Sequence, residues 1–174
     1  MTAPDKSKGS RRQGRTLAFQ VIFGLGFVPQ QTEQGALRRA FANNPAVEDC
    51  ESDEAVSFAS ELVMGATECM AEMDRVIGQH SDHWKIGRIG KVELAILRLS
   101  LYEILHRKDI PLKVAINEAI ELAKGFGDEN SRAFVNGILD SVARAVDQGR
   151  MSGVDKKIDK KHDKNDGSKA DAAK

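Results

Sequence analysis

The chain is poor in cysteine and in aromatic side chains, and it has no net charge and no long apolar run. Each scarcity closes off a class of protein. Cys50 and Cys69 are its two cysteines. They are too few and too isolated for the disulfide framework of a small secreted scaffold, and they lack the CxxC spacing of a zinc knuckle. Trp84 and Tyr102 are its one tryptophan and one tyrosine, although the apolar content as a whole supports a core. Its 26 lysines and arginines balance 26 aspartates and glutamates. A chain of that charge does not cling to every polyanion, but a local basic patch still permits nucleic-acid binding. No segment approaches the roughly 20 apolar residues of a membrane span. Met1 to Gln13 is polar and has no apolar signal core, so a soluble, cytoplasmic protein is expected. There is no glycine-rich phosphate loop and no nucleophile elbow.

What is present is unevenly distributed. Residues 1–16 are basic, residues 33–74 are acidic, and the C-terminal tail is rich in lysine. The basic start holds Arg11, Arg12 and Arg15. Ser10 followed by Gln13 fits a capping box, which predicts a helix beginning at Arg11. A helix N-terminus already carries partial positive charge, so arginines there are unfavourable unless an anion comes to them. Free backbone N–H groups and guanidinium groups together take a phosphate. A frayed, solvated basic arm is the other reading of the same residues.

Apolar periodicity predicts an all-α protein of about seven helices split into two small bundles. After an arm over 1–10, expected to be disordered, Leu17, Ala18, Val21, Ile22 and Leu25 form the stripe of a first helix over 11–25, and a short helix follows from about Glu33 to Phe41. Val56, Ala59, Val63, Ala66, Met70, Met73 and Ile77 alternate by three and four, which predicts one long helix over 54–77. Gly78 to Gly90 reads as a connector between an N-terminal bundle over 11–79 and a C-terminal bundle over 80–148. The run KVELAILRLSLYEIL, Lys91 to Leu105, is apolar nearly all round, so its helix belongs at the centre. A further helix carries Ala115, Ile116, Ala119, Ile120 and Ala123. Asp128 is a suitable N-cap for a last helix built on Phe134, Val135, Ile138, Leu139 and Val142. Residues 149–174 have almost nothing apolar to bury and are expected to be disordered.

Three segments carry a family resemblance. They are the N-terminal arginine helix, KVELAILRLSLYE (Lys91 to Glu103), and DIPLKVAINEAIELAKGFGDENSRAFVNGILD (Asp109 to Asp140). Together they resemble the NusB family of bacterial transcription antitermination factors. The resemblance implies two three-helix bundles and binding to the boxA element of nascent RNA jointly with the ribosomal protein NusE. It also implies entry into an RNA polymerase antitermination complex, notably in ribosomal RNA operons. It admits a homodimer that hides the RNA face. Similar domains stand at the front of RNA cytosine methyltransferases, but the glycine-rich cofactor turn is missing here, so no enzyme is expected. The alternative is a helical protein-interaction bundle that binds no RNA.

The resemblance gives candidate roles to particular residues. Arg11, Arg12 and Arg15 match the family's arginine-rich RNA-binding start. Arg98, in an otherwise apolar helix, is either an RNA contact, a snorkelling side chain, or one paired with Glu93 or Glu103. Glu93 matches a position that faces NusE in the family. Asn130 offers a polar contact at the start of the last helix, and Phe134 either stacks on an unpaired base or belongs to the core stripe. Asn117, Glu118 and Glu121 read as a solvated helix face rather than an acid/base pair. His80 and His83 have i, i+3 spacing without a third ligand beside them, so neither metal nor cofactor is expected.

Overall fold

The computed structural model describes residues 6–27, 34–81 and 84–151. Within them lie eight α-helices and one 3-10 turn, with no strand. The helices are α1 (Lys6–Leu25), α2 (Gln34–Ala42), α3 (Pro45–Glu48), α4 (Asp53–Glu68), α5 (Met70–His80), α6 (Lys91–His106), α7 (Leu112–Phe126) and α8 (Ser131–Asp147), with the 3-10 turn at Ile86–Arg88 between α5 and α6. Residues 1–5 and 152–174, which hold most of the arm and tail expected to be disordered, lie outside the described residues, as does Glu33.

α6 is the axis of the molecule. It touches α1, α4, α5, α7 and α8, and Ile96, Leu97, Leu99 and Leu101 are fully buried on it. An all-round apolar helix has no face to give to water, so neighbours must cover every side. α1 packs mainly along α4 and also reaches α6 and α7, whereas α5 packs on α6 and α8. One apolar cluster runs from Leu17 and Phe19 through Leu62, Val63 and Leu97 to Val135 and Val142.

Two local expectations are corrected. First, α1 starts at Lys6, so Lys6–Gly9 are helical and Ser10 and Gln13 lie inside the helix. The capping box at Ser10 does not form. Once α1 is anchored on the core, each upstream residue adds a hydrogen bond for one more fixed residue, and propagation is cheap compared with nucleation. Arg11 and Arg12 therefore stand beyond the first turn, past the free N–H groups of a helix start.

Second, the seam over 54–77 is shared by two helices that meet at Cys69. The Thr67 hydroxyl donates to the Val63 carbonyl at 2.6 Å, a back-bond that bends helices. Gly65 lets the Tyr102 ring lie directly against α4, in space that a Cβ would occupy. Asn43-Asn44-Pro45 both ends α2 and starts α3. Asn44 Oδ1 accepts from the Ala46 N–H at 3.1 Å, with Pro45 at the first helical position.

Candidate nucleic-acid interface

The N-terminal half of α1 lays its arginines along α4, the end of α6 and the start of α7, and each meets a carboxylate. Arg12 Nη2 lies 2.6 Å from Glu118 Oε1, and Arg12 Nε donates to Glu118 Oε2 at 3.1 Å. Its side chain remains 64% exposed. Arg11 is looser, 3.7 Å from Asp109 Oδ2 and about half exposed. Arg15 is different. It is 4% exposed and makes a two-pronged pair with Glu103, itself 2% exposed, through Nε and Nη2 at 2.9 and 2.8 Å to Oε2. Burial raises the Glu103 carboxyl above its usual range, and the Arg15 hydrogen bonds pull it back toward the charged form.

The three arginines thus do unequal things. Arg15 points inward and is closed off from solvent, while Arg11 and Arg12 present exposed guanidinium groups in exchangeable pairs. Phe58 of α4 gathers the set: Arg11, Arg15 and Arg107 each stand over its ring, at 5.3, 5.4 and 5.5 Å from the centroid. Arg107, which sequence reasoning did not single out, follows α6 and bonds both Asp109 and Glu61. The first of these bonds holds the Asp109 carboxyl below its usual range. Its one advance signal is the basic run His106-Arg107-Lys108 at the helix end. Of the helix-face acids, Glu118 is bound to Arg12 and Glu121 to Lys124.

A second group collects where α7 gives way to α8. Asp128 Oδ1 accepts from the backbone N–H groups of Asn130 and Ser131 at 2.8 and 2.9 Å. Those bonds lower its carboxyl pKa, with that of Asn130 foremost. Asn130, rather than the expected Asp128, occupies the N-cap position, without a capping bond from its own side chain, which is exposed. Ser131 is buried, and its hydroxyl donates to Glu93 Oε1. Glu93 therefore joins the start of α6 to the start of α8.

Phe134, one turn further along α8, is half-buried. Its ring stands edge-on to Trp84 at 6.0 Å, and Trp84 is 52% exposed. Phe134 packs against the core cluster while part of its side chain stays accessible. His83 lies outside the described residues, and His80 Nδ1 is 2.9 Å from the Ser141 hydroxyl.

Arg98 pairs with neither Glu93 nor Glu103. It bonds Asp74 of α5 through Nε at 2.7 Å and Nη2 at 2.8 Å and is 16% exposed. Glu93 and Glu103 are held by Ser131 and Arg15, and Asp74 comes from an element that the sequence spacing could not place beside α6.

An open hollow beside Glu93 is lined by Phe23, Phe27, Lys91, Glu93, Phe126 and Asp128. Phe27 is 59% exposed, with the Lys91 ammonium 3.5 Å above its ring. The arginine edge and this second group belong to different ends of α7. Glu118 and Phe126 are separated by roughly 12 Å of helix at 1.5 Å per residue, a span that a few nucleotides of single strand cover.

The chain matches the model of the NusB family over residues 12–144. It is 50% identical over 147 residues to the transcription antitermination protein NusB of Nitratidesulfovibrio vulgaris strain DP4, covering 84% of this chain and 95% of that protein. It is 43% identical over 141 residues to that of Myxococcus xanthus, covering 80% and 99%. Among solved structures, NusB of T. maritima superposes with a TM-score of 0.68 at 32% identity, covering 87% of this chain and all of that one. A NusB chain in a crystal structure of the antitermination factors NusB and NusE with double-stranded RNA superposes with a TM-score of 0.66 at 26% identity, covering 78% and 97%.

Proposed function

This chain belongs to the NusB family, and from that premise we propose that it acts in the cytoplasm as a non-catalytic RNA-binding antitermination factor. In this reading it binds the boxA element of nascent RNA together with ribosomal protein NusE and enters the RNA polymerase antitermination complex. The observation that carries the RNA part is the pair of exposed guanidinium groups, Arg11 and Arg12, held on a rigid helix by exchangeable carboxylates. A phosphate competes with Glu118 and Asp109 for those donors, and RNA supplies several phosphates at once.

Arg15 acts in this scheme by fixing α1 to α6 so that its neighbours are correctly aimed. Asn130 and the exposed part of Phe134 are assigned to the bases, with Trp84 beside them. Arg98 stands as a secondary RNA contact, reached when Asp74 is exchanged for a phosphate. Glu93 and the phenylalanine-lined hollow next to it are assigned to NusE. The near-neutral total charge supports a joint mechanism, because two modest interfaces on one scaffold reach an affinity that neither has alone.

The test is a gel shift with boxA RNA in the presence and absence of NusE. Binding that NusE strengthens, and that a scrambled RNA does not reproduce, is the expected result. NusE binding without any RNA shift would leave the protein-interaction bundle as the function.

A further inference from the structure

We propose that Cys69, Glu72 and His106 form a binding site for one zinc-type divalent cation, which would tie the junction of α4 and α5 to the last turn of α6. One ligand atom from each of the three, the Cys69 thiol sulfur, a Glu72 carboxylate oxygen and a His106 ring nitrogen, lies within 4.8 Å of the other two. His106 Nε2 is already 3.0 Å from Glu72 Oε2. Bond lengths of about 2.0–2.3 Å around a tetrahedral zinc place neighbouring ligands about 3.3–3.8 Å apart. Side-chain adjustments of about an ångström therefore close the set without moving a helix.

The donor chemistry suits that ion. A thiolate, an imidazole and a carboxylate are the three ligand types zinc takes from proteins, and a thiolate disfavours magnesium and calcium. The architecture suits it as well. Cys69 sits at the helix junction and Glu72 in the first turn of α5, which gives a local bite at i, i+3, while His106 arrives from the end of α6. The Tyr102 ring stacks on His106 at 5.5 Å and 17°, which sets the imidazole plane before any ion arrives. All three ligand residues are half-buried, open enough for entry and shielded enough to hold an ion.

Binding would release the proton of the Cys69 thiol to solvent, while His106 would bind the ion through Nε2 as a neutral imidazole with its proton on Nδ1. A water would complete the tetrahedron. The site uses none of the residues assigned to RNA, although His106 directly precedes Arg107 of the arginine group; sequence spacing alone could not reveal it, because its third ligand is far away in the chain.

The experiment is a cobalt titration of the untagged, chelator-washed, full-length chain. Wild type and Cys50→Ser are expected to develop thiolate-to-cobalt charge-transfer absorption at one equivalent, and Cys69→Ser is expected to show none. His106→Gln and Glu72→Gln should weaken binding by more than the roughly 10–100-fold that loss of an outer-shell partner costs. Zinc should displace the cobalt, raise the Tm of wild type and leave that of Cys69→Ser unchanged. A measurement needing no variant is alkylation of wild type read by mass spectrometry, in which zinc should protect Cys69 and leave Cys50 reactive. No thiolate band, a band that survives Cys69→Ser, or equal alkylation of Cys69 with and without zinc would overturn the site.

Discussion

Arg15 and Glu103 meet across 88 residues of sequence as a buried two-pronged ion pair that clamps the middle of α1 to the end of α6. Removing one partner strands a charge in the interior, so Arg15→Ala should cost about 3–5 kcal/mol in urea unfolding. Arg15→Met combined with Glu103→Leu should recover much of that loss, because apolar residues of similar volume often replace a buried pair without penalty. An Arg15→Ala protein of unchanged stability would show that the pair does not hold α1.

Arg12 should behave in the opposite way. Arg12→Ala removes an exposed pair and should change stability by no more than about 1 kcal/mol. It should reduce the slope of log affinity for boxA RNA against log salt by about 0.7, the value for one single-strand phosphate. Glu118→Gln should strengthen RNA binding, since it removes the carboxylate that competes for Arg12. An unchanged salt slope in Arg12→Ala would remove this residue from the interface.

The contrast between Arg12 and Arg15 marks the limit of what the sequence made legible. Both stand in one short basic cluster, and nothing local separates them. Their difference is set by Glu118 and Glu103, which arrive from α7 and α6. The central place of α6 was legible because an apolar residue on every face leaves one possible location. The break at Cys69 was not, because Val63, Ala66, Met73 and Ile77 are buried on both sides of it and keep the apolar rhythm through the bend. The partner of Arg98 was hidden for the same reason as that of Arg15, since Asp74 reaches it only once α5 folds against α6.

Gly14 faces α4 so closely that a Cβ would press on the Ala55 carbonyl oxygen at 2.8 Å and on Phe58 at 2.9 Å. Helix propensity favours Gly14→Ala by roughly 1 kcal/mol, but overpacking against a backbone atom costs about 1–3 kcal/mol. A lowered Tm is the expected balance. An increase would mean that α1 can ride outward freely.

Acid should loosen the start of α8. Asp128 has its folded pKa lowered by the N–H groups of Asn130 and Ser131, so its contribution is complete above the unfolded value near 4 and is lost as pH falls through the folded value. Asp128→Asn keeps an oxygen acceptor and loses the titration. Its Tm should therefore fall less steeply than that of wild type below about pH 4. Parallel acid limbs would show that these bonds do not contribute.

Trp84 is the one tryptophan of the chain and touches Phe134 edge-on. Its fluorescence therefore reports on that corner directly. Bases stacking there should quench it on boxA addition, and Phe134→Ala should weaken binding by about 1–3 kcal/mol per base lost. RNA binding with unaltered emission would place the bases elsewhere.

The Ser131 hydroxyl has a mechanical consequence. It holds the Glu93 carboxylate and sits inside the same small knot as Asp128, three residues ahead of Phe134. The surface assigned to the protein partner and the turn assigned to the bases are therefore bolted to one hinge pin. If both assignments hold, a shift of Glu93 reaches the first turn of α8 through Ser131, and any coupling between the two ligands is equal in both directions. A change at Ser131 should then alter both grips at once.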